Sequence, residues 1–223
     1  LLRLQDEVVT SGGLKVFEVS DRDTFRLTWV LSDDEFKLRK LWLERRAQAY
    51  SLICNDIDHR GYEKLGGVLM QRLGASRIHV TPSGNEFGID FLAVVPAYSR
   101  SSLFVSGHRG LRIVGQSKKY TSKVARDRIQ AFNDCMTSIR NNRAEMTSIV
   151  PAWFRNSPAP MLGCFIAHYG FQSGAKTMAQ QNGHIILDTI ALSEILGWQK
   201  KREAYQCIRD FEKQLWVDLQ TMS

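Results

Sequence analysis

Three side chains of complementary chemistry stand on two segments that read as strands. Asp90 lies in GNEFGIDFLAVVP, residues 84–96, of which residues 88–95 have the apolar make-up of a buried strand. An ionised carboxylate taken out of water without a partner is costly, so Asp90 needs a cation, a set of donors or open water. In IVGQSKKY, residues 113–120, Gln116 and Lys118 are two apart and share one face, while Ile113, Gly115 and Ser117 share the other. If these consecutive strands pair, one face collects a carboxylate, an amide and an ammonium. That set suits a divalent-cation site acting on phosphate. Asp90 and the Gln116 carbonyl offer hard oxygen ligands to Mg²⁺, and Lys118 is placed to hold an attacking water or offset charge developing at phosphorus. The metal would lower the pKa of that water and clamp phosphoryl oxygens. Glu63, on the helical side that carries Gly66, Gly67 and Met70, is a third acid. Adjacent helical glycines cost about 1 kcal/mol each against alanine, which close approach of this face to another backbone would explain. Glu86, in the turn before Asp90, is a further candidate.

Each residue alone has a plainer reading. Backbone amides at a strand end satisfy many aspartates, a strand glutamine is often only a hydrogen-bonding residue, and a terminal lysine is often simply solvated. The joint order on adjacent segments favours the metal site. A basic cluster, Lys118, Lys119, Lys123, Arg126 and Arg128, lies where a strand ends and a helix begins, and helix N-termini attract phosphate. Lys119, Lys123 and Arg126 are therefore candidate contacts to the phosphates of a polyanionic partner. Arg100, His108, Arg109 and Arg112, in or near the segment PAYSRSSLFVSGHRG, are candidates to enter a groove, with Arg109 foremost. The histidines form no ligand pair, and Asp188 reads as a turn or cap residue.

The positioning elements follow from periodicity. Residues 14–19 and 25–31 read as two short strands around SDRD, and Ser32 with Glu35 makes a capping box for a helix from Asp33 to about Cys54. Residues 62–73 have helical spacing, with Leu65, Val68, Leu69 and Leu73 on one side and Gly74 to end it. Residues 77–81 and 111–118 alternate like strands, and Ala125, Ile129, Phe132, Met136 and Ile139 recur at steps of four and three. MLGCFIA is a buried strand, GAKTMAQQNG a helix closed by Gly183, HIIL a short strand and TIALSEIL a helix, and a last amphipathic helix runs from about Trp198 to Leu219. This order predicts an α/β fold: a mixed sheet flanked by helices, with an N-terminal α/β extension and a C-terminal helix. The boundaries expected are 1–58 for the extension, 59–197 for the main domain and 198–223 for the last helix.

Composition sets the frame. The chain has 223 residues and a formal charge of +7, which suits one sizeable core and a polyanionic partner. No apolar run approaches the ~20 residues of a membrane helix, and no signal peptide opens the chain. Cys54, Cys135, Cys164 and Cys207 are scattered and unpaired by motif, as expected for packing thiols in a reducing cytoplasm. A chain that opens on Leu1 leaves room for an upstream sensor region or partner.

The stretch GYEKLGGVLMQRLGASRIHVTPSGNEFGID, with IVGQSKKY and VARDRIQAF after it, resembles the catalytic domain of Mrr-type restriction endonucleases in the PD-(D/E)xK nuclease superfamily. The family's helical glutamate falls on Glu63, its strand aspartate on Asp90, and its QxK variant on Gln116 and Lys118. The resemblance covers residues 61–196, more weakly over 171–192. It implies a restriction-endonuclease-like fold and hydrolysis of DNA phosphodiesters with Mg²⁺ (Mn²⁺ as a substitute) in defence against foreign DNA. Cutting both strands of a duplex implies a homodimer or larger homo-oligomer. A repair or junction-resolving nuclease keeps the fold and changes the task, and a catalytically silent DNA-binding or assembly module is the rival outside enzymes. Two departures stand out: the long segment 98–110 between core strands, and ends that match nothing in the family.

Overall fold

The structure is a computed structural model and describes residues 17–21, 26–29, 33–82, 84, 87–96, 110–197 and 208–222. Ser32, Glu86, most of segment 98–110 with Arg100, His108 and Arg109, the start of the last helix at Trp198, and Cys207 lie outside the described residues. The chain divides into two compact units, residues 1–44 and 45–223. In the first, β1 (Phe17–Asp21) and β2 (Arg26–Trp29) form an antiparallel pair, with a shift in register between Val19 and Asp21. The boundary falls inside helix α1 (Asp33–Asn55).

The second unit is a five-stranded sheet in the order β3-β4-β5-β6-β7. Its strands are β3 (Arg77–Val80), β4 (Phe91–Pro96), β5 (Gly110–Lys118), β6 (Met161–Ala167) and β7 (Ile185–Asp188). The first three run antiparallel and the last three parallel, so the expected mixed sheet is present. Helix α2 (His59–Arg72) precedes β3, and α3 (Arg126–Arg140) with the short α4 (Ala152–Arg155) connects β5 to β6. Helices α5 (Ser173–Gln181) and α6 (Thr189–Gly197) flank β7, and α7 (Ile208–Thr221) closes the described chain.

Strand alternation separates two cores. Phe91, Ala93, Ile113, Cys164 and Ile166 pack with Leu65 and Leu69 of α2, Leu192 and Leu196 of α6 and Phe211 and Leu215 of α7. Leu92, Val114 and Phe165 point the other way, to Ile129, Phe132 and Met136 of α3 and Ala175 and Met178 of α5. Each fully buried side chain of this size contributes about 1.5–3 kcal/mol. Arg72 of α2 pairs with the buried Asp218 of α7, which also accepts from Gln214 at 2.7 Å. Burial pushes the Cys135 thiol up to about 11 and the Cys164 thiol up to about 12, so both behave as packing groups.

Helix α2 begins three residues before the apolar spacing suggests, because Asp58 is its N-cap and accepts from the Gly61 N–H at 2.7 Å. Its C-cap is Leu73, and Gly74 follows at φ +79°. The glycines of this helix do approach the sheet closely, but against side chains, not another backbone. A Cβ on Gly66 would lie 2.1 Å from the Phe91 ring, and one on Gly115 of β5 would lie 1.9 Å from the same ring. Phe91 stands in register with Gly115 and is fully buried. Its ring fills the space two missing side chains leave, and this seats α2 on β4 and β5.

Gly66→Ala tests that seat. Alanine gains about 1 kcal/mol of helix propensity, but a ring pressed from both sides has nowhere to go, and overpacking costs about 1–3 kcal/mol. The variant should unfold at lower urea, and adding Phe91→Leu should recover part of the loss. A more stable single variant would show that the ring yields freely.

Candidate active site

Asp90 sits one residue before β4, in a short link that crosses from the turn to the sheet. Gly88 has φ +68°, a left-handed conformation that glycine adopts without strain. The same glycine serves a second purpose, since a Cβ there would lie 2.5 Å from Nε2 of Gln116. The glycine of GxD thus makes room for the glutamine of QxK. Backbone bonds then fix the link on both sides: the Asp90 N–H donates to the Gly115 carbonyl at 2.9 Å, and the Thr81 N–H donates to the Asp90 carbonyl at 3.0 Å.

The Asp90 side chain is only 6% exposed. Its Oδ2 accepts the Ser117 backbone N–H at 2.7 Å and pairs with the Lys118 ammonium at 3.4 Å. Among the described residues, Oδ1 accepts no hydrogen bond. The carboxylate therefore has both a cation and a backbone donor, and one oxygen left over. Burial raises the Asp90 pKa above its ordinary value. Lys118 and the Ser117 N–H pull it back down, and the charge of Glu63 pushes it up. The last effect places Glu63 within electrostatic reach of Asp90.

Gln116 and Lys118 are half-buried on either side of the buried Ser117, opposite Phe165 and Ala167 of β6. Glu63, in the first half of α2, is held by Arg60, whose Nη1 donates to its Oε2 at 2.8 Å. Arg60 also donates from Nη2 to the Thr81 carbonyl at 2.8 Å. The apolar periodicity starts at residue 62 and passes Arg60 by. The signal that finds it is Asp58, a capping residue that moves the helix start back and puts Arg60 in the first turn.

The basic candidates separate. Lys123 and Arg126 are exposed, and Arg128 lies beside Asp127 at 3.8 Å. The Lys119 ammonium instead donates to the carbonyls of Ile57 and, at 3.3 Å, Cys54. A phosphate contact by Lys119 has to compete with these bonds at the end of α1. Arg112 ties β5 to the α4 region through the Ala159 carbonyl at 2.8 Å and the Phe154 carbonyl at 2.9 Å. Asp188 caps α6, accepting the Ala191 N–H at 2.8 Å. His168 bonds Thr189 at 2.8 Å and His184 bonds Asn133, so both have structural partners.

Among the described residues, no three His, Cys, Asp or Glu side chains cluster as a metal cage. Two carboxylates and an amide oxygen remain, a hard-oxygen set of the kind that suits Mg²⁺, which keeps several waters and takes one or two protein carboxylates. The residues fit that ion, and they do not resemble a thiolate or imidazole site.

Residues 54–152 match the model of the family Mrr_cat, described as a restriction endonuclease. This stretch is similar to an Mrr-type restriction endonuclease domain. The match runs from the last residues of α1 to the first residue of α4 and contains Glu63, Asp90, Gln116 and Lys118. No curated protein matches the chain. Among solved structures, the chain is similar to the MspJI restriction endonuclease in complex with a 27-mer oligonucleotide, at 14% identity and a TM-score of 0.44, covering 87% of this chain and 39% of that one. It is also similar to the DNA modification-dependent restriction endonuclease AspBHI, at 13% identity and a TM-score of 0.45, covering 88% of this chain and 44% of that one. The chain thus spans less than half of either protein. No described helix is long and apolar enough to cross a membrane.

The raised Asp90 pKa has a consequence for stability. The folded state holds this proton to higher pH than the unfolded state does, so the group's stabilising contribution is complete below the ordinary value near 3.8. That contribution is lost as pH climbs through the raised folded value. Asp90→Asn has no such loss, and its amide oxygen can still accept from Ser117. Its stability relative to wild type should therefore rise with pH across that window and level off above it. Urea midpoints from about pH 3.5 to about pH 8 measure this, and a flat difference would show an Asp90 that ionises as easily as one in water.

Proposed function

We propose that the Mrr-type domain hydrolyses DNA phosphodiesters as a Mg²⁺-dependent endonuclease that acts against foreign DNA. The observation that carries this reading is the Asp90–Lys118 pair at 3.4 Å, with Asp90 Oδ2 fixed by the Ser117 N–H and Oδ1 left open. Asp90 is the main anionic ligand, Glu63 the second carboxylate and Gln116 the amide ligand. Glu86 is an added candidate outside the described residues. Bound there, Mg²⁺ (with Mn²⁺ as a substitute) would supply acidity to a water and positive charge to the phosphoryl oxygens.

The chain's own groups do the rest. The Lys118 ammonium, half-buried at the end of β5, orients the attacking water and faces the charge that develops on the phosphoryl oxygens. One P–O bond forms from that water as one ester P–O bond breaks, and the leaving oxygen ends protonated. Lys123 and Arg126, exposed beyond β5, contact the backbone of double-stranded DNA together with Arg109. Two copies, as a homodimer or larger homo-oligomer, would cut both strands. A silent binding module has no need of a buried carboxylate beside a lysine, an arrangement that costs desolvation and gives no binding surface.

Plasmid nicking with and without Mg²⁺ tests the reading. Asp90→Ala should abolish both cleavage and Mg²⁺ binding. Lys118→Met keeps the apolar stem, so it should leave folding and metal binding nearly intact yet slow cleavage by at least ~100-fold, the scale for one preorganised electrostatic group. Near wild-type cutting by a folded Lys118→Met would remove the catalytic role of the QSK segment. Cleavage confined to branched or single-stranded DNA would favour a repair nuclease.

Neutralising Lys123 or Arg126 should weaken binding to all sequences alike and lower the slope of log K against log salt by about 1. An unchanged slope returns that residue to the solvated surface.

A further inference from the structure

We infer that Arg60 is a positioning residue: its guanidinium sets the distance between the two acids, Glu63 and Asp90, that would share the metal. The inference rests on the nuclease reading and adds a residue to it. The acids come from different elements, a helix and a strand link. Nothing in the covalent chain fixes their separation, and a divalent ion with strict ligand geometry needs it fixed. Arg60 spans the gap with both hands of one rigid fork. Nη1 takes the Glu63 Oε2 at 2.8 Å, and Nη2 takes the Thr81 carbonyl at 2.8 Å. Thr81 in turn donates its N–H to the Asp90 carbonyl at 3.0 Å and its hydroxyl to the Ile89 carbonyl at 2.5 Å. The chain of bonds Glu63–Arg60–Thr81–Asp90 thus runs from the Glu63 carboxylate to the main-chain carbonyl of Asp90, the residue that carries the second acid. Asp58, capping the first turn through the Gly61 N–H, holds the turn that carries Arg60.

An ordinary helical pair three residues apart would leave the second guanidinium nitrogen to water and contribute little. Here that nitrogen is spent on the strand backbone beside Asp90. Groups that orient metal ligands typically change metal affinity by 10–100-fold when removed, about the size expected here.

The experiment is Mg²⁺ calorimetry on the full chain, beside plasmid nicking and DNA affinity measured without metal. Arg60→Met should weaken Mg²⁺ binding by about 10–100-fold and shift the metal requirement for nicking upward by a similar factor. DNA affinity without metal should change less than about twofold. Arg60→Lys, which reaches one partner but not both, should fall between. Because Arg60 acts through Glu63, the Arg60→Met loss should shrink when made on a Glu63→Gln background. Unchanged Mg²⁺ affinity in a folded Arg60→Met overturns the inference and leaves the nuclease reading standing. Weakened DNA binding with unchanged metal affinity overturns it in favour of a phosphate contact. A wild type that neither binds Mg²⁺ nor nicks overturns both. If Arg60→Met fails to fold, Arg60→Lys and Glu63→Gln carry the same comparison, and full Mg²⁺ affinity in Arg60→Lys counts against the fork.

Discussion

A carboxylate at 6% exposure is tolerable only while its partners stay in place, and the geometry around Asp90 is arranged so that they do. Its two donors, the Ser117 N–H and the Lys118 ammonium, both belong to β5. The β4–β5 register, with Phe91 opposite Gly115, therefore decides whether Asp90 has partners at all. A slip of one residue would turn Lys118 to the other face and set Phe91 against a residue that has a side chain. Register here is part of the chemistry. The Asp90 N–H bonded to the Gly115 carbonyl, one step before the strand proper, locks it at the point where the carboxylate leaves the sheet.

Three glycines make that register possible, each for a different reason. Gly115 and Gly66 leave room on opposite sides of one phenylalanine ring, so helix and strands approach through the ring. Gly88 turns the chain with a positive φ and leaves space for Gln116. The motif letters GxD and QxK are usually read as ligands with spacers. In this fold the glycine of one is the packing surface of the other, so the two motifs are one unit before any metal or substrate arrives.

Much of this was legible in the sequence, because period and turn chemistry are local. The strands around Asp90 and QSK, the helix after QSK, the distal βαβα order and the grouping of Asp90 with Lys118 all follow from alternation, spacing and glycine positions. What sequence could not give was the target of a long side chain. Lys119 and Lys123 look alike in KKYTSK, yet one donates to carbonyls at the end of α1 and the other is exposed. Arg112 reads as a groove candidate until the Ala159 and Phe154 carbonyls, some 45 residues away in sequence, are seen to hold it. Gly66 and Gly67 correctly announced a close approach. That a ring would fill the gap depended on Phe91, which no local rule connects to the helix.

The charges around the site give a reason for its combination of acids and bases. Asp90 is matched by Lys118 and Glu63 by Arg60, so two carboxylates and two cations cancel when all four are charged. Two uncompensated acids would repel a DNA phosphate and each other, and the rise in the Asp90 pKa from the Glu63 charge is a small instance of that repulsion. With both acids already balanced, a bound dication would bring a surplus of two positive charges at the place where a phosphodiester carries one negative charge and gains more on the way to its transition state. The pairing therefore holds the two acids in place by itself, and it would leave a bound metal's charge free for a substrate. A site built from the acids alone would spend that charge on its own ligands.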